Sequence, residues 1–204
     1  VHPSVHAAIG AASVVALTYL YPAAGSVLEA RLDSVLSAEQ WPGERRTDVD
    51  AGEAIGRAVA QQVVARAQTD RFFAPFTGTI PTGPGYWFSV SPNVPPGGAM
   101  VGQAKTYFLT SGSQFRPPPP PAFGSAEFNA ALAEVRQISD TRTPEQTAIA
   151  VFWNLPAGTY QPPGYWNDLA SQLAVQYRLN ERETAHVLAL MNMASHDIIE
   201  KARR

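Results

Sequence analysis

The stretch from Thr69 to Gly124 limits what this chain can fold into more than any other. Most of the chain's 18 prolines lie in it, with Gly-Pro, Pro-Gly and Gly-Gly pairs throughout. Proline lacks an amide donor, fixes its own φ and biases the residue before it away from helix. No helical period survives here, so the segment parts the sequence into two helical blocks. A structureless loop of this length is unusual inside a compact domain. Its aromatics, among them Phe72, Phe73, Tyr86, Trp87, Phe108 and Phe115, seek burial, which a disordered linker would not need. The segment is therefore read as a covering wrap.

Three helices are expected before it. Ser4 can cap the first, which runs to about Leu20 and is closed by Pro22. Its small residues, Ala7, Ala8, Gly10, Ala11 and Ala12, suit close helix approach. A second, about Ser26 to Gln40, carries Val27, Leu28, Leu32, Val35 and Leu36 at helical spacing and is broken by Trp41-Pro42-Gly43. A third runs from about Asp48 to Gln68, with Ala51, Ile55, Val59, Val63 and Ala67 along one face. Gly52 and Gly56 lie one turn apart in it, a cost in helix propensity unless another backbone packs there.

Four helices are expected after the wrap. Ser125 can cap one to about Ile138. Thr143 caps the next, with Pro144 at its first position and Glu145 in its first turn, ending near Asn154. Another spans about Pro163 to Tyr177, and Asn180 with Glu183 can open the last through a capping-box arrangement. The expected fold is all-α: a bundle of about seven helices with a long Pro/Gly/aromatic-rich wrapping segment. Residues 1–68, 69–124 and 125–204 are its three parts, packed as one domain.

Composition narrows the function classes. The 204 residues are 45% hydrophobic and 16% charged with a net charge of −2, which gives no basic footprint for nucleic acid. There is no cysteine, hence no disulfide or thiolate metal site. The longest apolar run, Ala7 to Tyr21, is broken by Ser13 and Thr18 and falls short of the roughly 20 residues of a membrane helix. A transmembrane segment is not expected.

Several groups could carry chemistry. His2-Pro3-Ser4-Val5-His6 places a hydroxyl and two imidazoles at a helix start, where backbone amides favour an anion. Gln114-Phe115-Arg116 precedes five prolines, Pro117 to Pro121. That run is either a polyproline ligand for an SH3-like or WW-like module or a rigid strut across helix ends. Arg116 beside it can serve a carboxylate within the fold or an anion at the surface. On the last helix, Asn192 and His196 intrude on a face with Ala185, Leu188, Ala189 and Ile199; His196 can pair with Asn192, and Asp197 lies on the neighbouring face. His186 is expected to face solvent. No second histidine stands one turn from His196, so no metal site is expected.

The block Phe108 to Asn154, FLTSGSQFRPPPPPAFGSAEFNAALAEVRQISDTRTPEQTAIAVFWN, joins the serine-rich turn, the prolines and two helices in one order. It resembles the bacterial vanadium-dependent haloperoxidase-like branch of the type 2 phosphatidic acid phosphatase superfamily. Residues His2 to Ala60, ending Asp48-Val49-Asp50-Ala51-Gly52-Glu53-Ala54-Ile55-Gly56-Arg57-Ala58-Val59-Ala60, follow the outline of that family's catalytic half and are read as its non-catalytic counterpart. Val5 stands where the family's Pro-Ser-Gly-His has glycine, and no Ser-Arg with a following His is present. Lys201 comes too soon after Asp197 to match the family's anion-binding lysine, and no Arg-Pro follows it.

The resemblance implies that the chain matches the N-terminal half of such an enzyme. Vanadate or phosphate is then expected only in the intact protein, held by Lys, Arg and His of a C-terminal half, with no such group supported in this chain. The intact activity would be peroxide-driven halide oxidation or phosphomonoester hydrolysis. The expected partner is that missing half, or a second copy through self-association. Members are often exported, and Val1 in place of Met agrees with a removed leader or with numbering that begins inside a longer protein. The weak site candidates are His196 and Asp197, the degenerate motif His2, Ser4 and His6 as a phosphatase centre, and Arg116 as an anion contact. A non-catalytic helical binding or assembly module, using the polyproline and aromatic segment, is the alternative.

Overall fold

A computed structural model describes residues 2–38, 45–89, 97–156 and 158–202. Among them are seven α-helices and no strand: α1 Val5–Leu20, α2 Gly25–Ala38, α3 Arg46–Thr69, α4 Ala126–Thr141, α5 Pro144–Asn154, α6 Gln161–Gln176 and α7 Glu181–Ala202. The chain is an all-α helical bundle protein. Short 3₁₀ turns stand at Pro22–Ala24 and Val101–Gln103. The expected break at Trp41-Pro42-Gly43 and the end of α2 at Gln40 lie outside the described residues. No described helix is long and apolar enough to cross a membrane.

Helix starts follow local chemistry. The Ser4, Ser125 and Thr143 hydroxyls accept the amides of Ala7, Phe128 and Gln146 at 3.2, 3.1 and 3.2 Å. Gln146 returns the bond to the Thr143 amide at 2.8 Å. Asn180 and Glu183 form the expected reciprocal box, at 2.9 and 3.0 Å. Three boundaries differ from expectation. α3 begins at Arg46 because Asp48 lies in its first turn, its carboxylate accepting the Arg45 amide at 3.3 Å. α4 continues to Thr141, since the first residue barred from helix is Thr143, held extended before Pro144. α6 starts at Gln161, with Pro162 and Pro163 in the first turn, where no amide donor is needed.

The chain divides into two compact units, Val1–Arg71 and Phe72–Arg204. In the first, α1 and α3 run parallel and nearly touch. A side-chain carbon on Gly52 would collide with the backbone of Ser4, and one on Gly56 with that of Ala8. The Ser4 amide donates to the Asp48 carbonyl at 2.8 Å and anchors the alignment. α2 returns antiparallel, so that Gly25 faces Thr18 and Gly10 faces Leu32. Ala11, Val14 and Leu32 form the core, with Leu28 and Leu36 packed on it. Arg57 of α3 grips both oxygens of Glu29 on α2, at 2.9 and 2.7 Å, and Glu53 at 2.9 Å. That hydrogen-bonded guanidinium holds the Glu29 carboxyl below its ordinary range. The Glu29 side chain is 45% exposed, so screening leaves the pair as an aligner of helices more than a source of stability.

The close approach reverses one expectation. The stripe of α3 that buries is Val49, Gly52, Gly56 and Ala60, whereas Ile55, Val59 and Val63 are about half exposed. Backbone contact at the glycines leaves no room to turn the larger side chains inward.

In the second unit, α7 packs on α6 and on the 3₁₀ turn, where Val101 and Ala104 are buried. Asn167 of α6 and Asn192 of α7 exchange two amide bonds at 2.9 and 3.0 Å. Asn192 is thus paired across helices and not with His196. The Pro-rich segment does not bury its rings as expected of a wrap: Phe73, Tyr86, Trp87, Phe88, Phe108 and Phe115 are each at least half exposed. Prolines and glycines give that backbone few amides and few side chains with which to hold the rings down.

Gly→Ala in an exposed helix interior gains about 1 kcal/mol from propensity. Gly52→Ala and Gly56→Ala should do the reverse and lower stability by roughly 1–3 kcal/mol, because backbone cannot step aside as a side chain can. Urea denaturation followed by circular dichroism measures this; a gain in either variant would contradict the close helix contact.

Candidate functional site

The most organised polar site in the second unit is centred on Asp197. Its carboxylate accepts three successive amides of the Pro-rich segment: Tyr107 at 2.7 Å through Oδ1, and Phe108 at 2.7 Å and Leu109 at 3.1 Å through Oδ2. Asp197 is only 3% exposed. Burial alone would raise its carboxyl, but the three amides, with His196 beside it, outweigh that and hold it below the ordinary carboxylate value. Consecutive amides turned to one point form an anion-binding concavity. Here the chain's own carboxylate fills it, which fastens residues 107–109 to α7.

His196 lies between aromatic rings. Its centroid is 5.6 Å from Phe72 and 5.3 Å from Tyr107, the latter edge-on at 84°. Packing of this kind suits a structural imidazole, and the expected Asn192 partner is engaged elsewhere. His186 is exposed, as its position on α7 predicts.

The N-terminal candidates are drawn into the α1–α3 contact. Ser4 is 2% exposed and its hydroxyl is committed as the α1 cap. The Asp48 carboxylate accepts the His2 amide at 2.9 Å. That bond, opposed by burial and aided by the Arg45 amide, lowers the Asp48 carboxyl below its ordinary value. His2 and His6 are exposed on either side of the buried serine. The Ser4 hydroxyl is enclosed and accepts the Ala7 amide, which makes it part of the α1 cap.

Arg116 is exposed and makes no ion pair among the described residues. The internal carboxylate partner offered as one of its two roles is not found there.

An oxyanion such as vanadate or phosphate needs open donors and no competing carboxylate. At α1 the serine is closed and Asp48 stands against the helix start. At α7 the amide concavity already holds Asp197. The described residues at these two places therefore do not fit such an anion. Among the described residues no group of three His, Cys, Asp or Glu could hold a metal ion.

Sequence reading missed one constellation, an aromatic quartet. Phe152 and Trp153 end α5, and Tyr165 and Trp166 lie in α6. Neighbouring centroids are 5.0 Å (Phe152–Trp153), 5.5 Å (Trp153–Tyr165), 5.8 Å (Phe152–Tyr165) and 6.2 Å (Trp153–Trp166). Its signal is plain in hindsight: two adjacent-ring pairs flank a Pro/Gly turn.

Replacing Asp197 by Asn sets an NH₂ against amide donors. The expected cost is about 2–3 kcal/mol at pH 7. Because the folded carboxyl is depressed, its contribution is complete above the unfolded value of about 3.9 and is lost as pH falls through the lower folded value. Urea midpoints of the wild type and Asp197→Asn should thus draw together as pH falls below the unfolded carboxyl value of about 3.9. A gap that stays constant with pH would refute the charged clamp.

Family models, curated proteins and solved structures were each compared with the chain, and none matches it.

Proposed function

We propose that this chain is the helical scaffold of a vanadium haloperoxidase-like or acid-phosphatase-like enzyme whose oxyanion pocket is built by residues outside these 204. The observation that carries the reading is the uncovered apolar face of the α4–α5 region. α4 and α5 bury no side chain, although Leu132, Val135 and Ile138 recur along α4 and Ile149, Val151, Phe152 and Trp153 crowd α5. Each of these seven is at least half exposed. Scattered apolar residues on a surface are ordinary, but a continuous stripe on a capped helix marks a surface meant for a partner.

The resemblance of Phe108–Asn154 and Asp48–Ala60 to the haloperoxidase-like branch supplies the identity of that partner, a further set of helices with the anion-binding Lys, Arg and His. The enclosed Ser4 hydroxyl and the filled amide concavity at Asp197 agree with a scaffold role. In the intact enzyme, vanadate would support halide oxidation and phosphate would be the bound product of ester hydrolysis. Neither is routed through residues described above.

The test is direct. The purified chain, supplied with vanadate, peroxide and bromide, should not brominate monochlorodimedone, and it should not hydrolyse p-nitrophenyl phosphate. It should bind 8-anilinonaphthalene-1-sulfonate strongly through its open apolar faces. Robust turnover by the reconstituted chain, or a surface that leaves the dye unbound, would overturn the scaffold reading.

A further inference from the structure

We propose that the four-ring face of α5 and α6 is the dock for the five-proline strut of a second copy of this chain. Both halves of the recognition stand in one unit. Pro117 to Pro120 are exposed, and a proline run adopts the extended left-handed helix without internal hydrogen bonds. Such a strut loses little entropy on binding, and aromatic-lined grooves are its usual receptors. Its five residues reach about 15 Å at ~3.1 Å each. Phe152, Trp153 and Trp166 are 52%, 50% and 44% exposed, so about half of each ring stays open although edge-to-face contacts within the quartet cover the rest.

Charge selects the occupant. Between residues 97 and 124 the only charged groups are Lys105 and Arg116, both cationic. Between 143 and 177 the only ones are Glu145 and Asp168, both anionic. Arg116 leads directly into the prolines and has no ion pair among the described residues. Asp168 is exposed one turn beyond Tyr165; its Oδ2 accepts from Gln172 at 2.8 Å, and Oδ1 is the atom to receive the guanidinium. Because each copy offers one strut and one ring face, a two-fold pair engages both docks at once. The second contact then gains from the effective concentration set by the first. Phe152 and Trp153 belong to both readings, but the strut substitutions and the peptide leave the α4 stripe untouched and so test this proposal apart from the scaffold one.

Sedimentation equilibrium of the full chain, across concentration, reads the association. A triple substitution Pro118→Ala, Pro119→Ala, Pro120→Ala should raise the dimer dissociation constant at least tenfold, and Arg116→Ala should raise it and flatten its salt dependence. These side chains are exposed, so the fold should be unchanged by circular dichroism. As a second readout, a synthetic peptide with the sequence of residues 113–123 should saturably change tryptophan fluorescence and dissociate the dimer. Trp153→Ala should weaken that peptide at least tenfold. Three results would overturn the proposal: a dimer indifferent to the strut substitutions, a chain that neither dimerises nor binds the peptide, or a monomer that binds it, which would make the dock one for a foreign proline-rich protein.

Discussion

The carbonyls of Ser4 and Ala8 occupy the space in which side chains of α3 would otherwise begin. Everything in the first unit is arranged around that approach. Two glycines a turn apart let parallel helices meet backbone to backbone, and the Ser4 amide locks their alignment onto the Asp48 carbonyl. The contact then decides which face of α3 is inside, which side of α1 remains for α2, and why Arg57 reaches Glu29. It also decides the chemistry of the N-terminus. A serine so placed is a helix cap, and the neighbouring carboxylate makes the spot unfriendly to any oxyanion.

The second unit depends on a polar contact instead. A segment poor in amide partners has one place where three amides converge, and Asp197 meets them. One buried carboxylate thereby does for residues 107–109 what a ladder of backbone bonds does for an ordinary strand. The cost of burying the charge is offset by the three donors, in keeping with the depressed carboxyl. His196, one residue away, adds ring packing to Phe72 and Tyr107 and so extends the same fastening.

What could be read from the chain alone follows the distance over which each determinant acts. Caps were legible because their partners lie within four residues of each other, the hydroxyl and amide of Thr143 and Gln146 and the amide and acid of Asn180 and Glu183. The need for a backbone neighbour at Gly52 and Gly56 was legible too, since glycine in mid-helix has little other excuse. The buried stripe of α3 was not, because hydropathy favours Ile55, Val59 and Val63, while steric access favours the small residues. Asp197 was noticed as a residue but not as a clamp, as its partners lie some ninety positions away. Arg116 was offered an internal partner that is not found among the described residues. The quartet of rings needed two helices to be placed side by side before its members could be seen together.

The Asp197 clamp also imposes an order on synthesis. The amides of Tyr107, Phe108 and Leu109 wait for an acceptor encoded 88 to 90 residues later. The first unit can close far sooner, since His2 and Asp48 are separated by only 46. A chain leaving the ribosome from its N-terminus therefore folds one unit while the proline-rich segment is still without its anchor. Long-range closure of this kind is slow and leaves apolar groups uncovered meanwhile. The exposed prolines help in that interval, because they supply no amide donors with which a stray strand could pair.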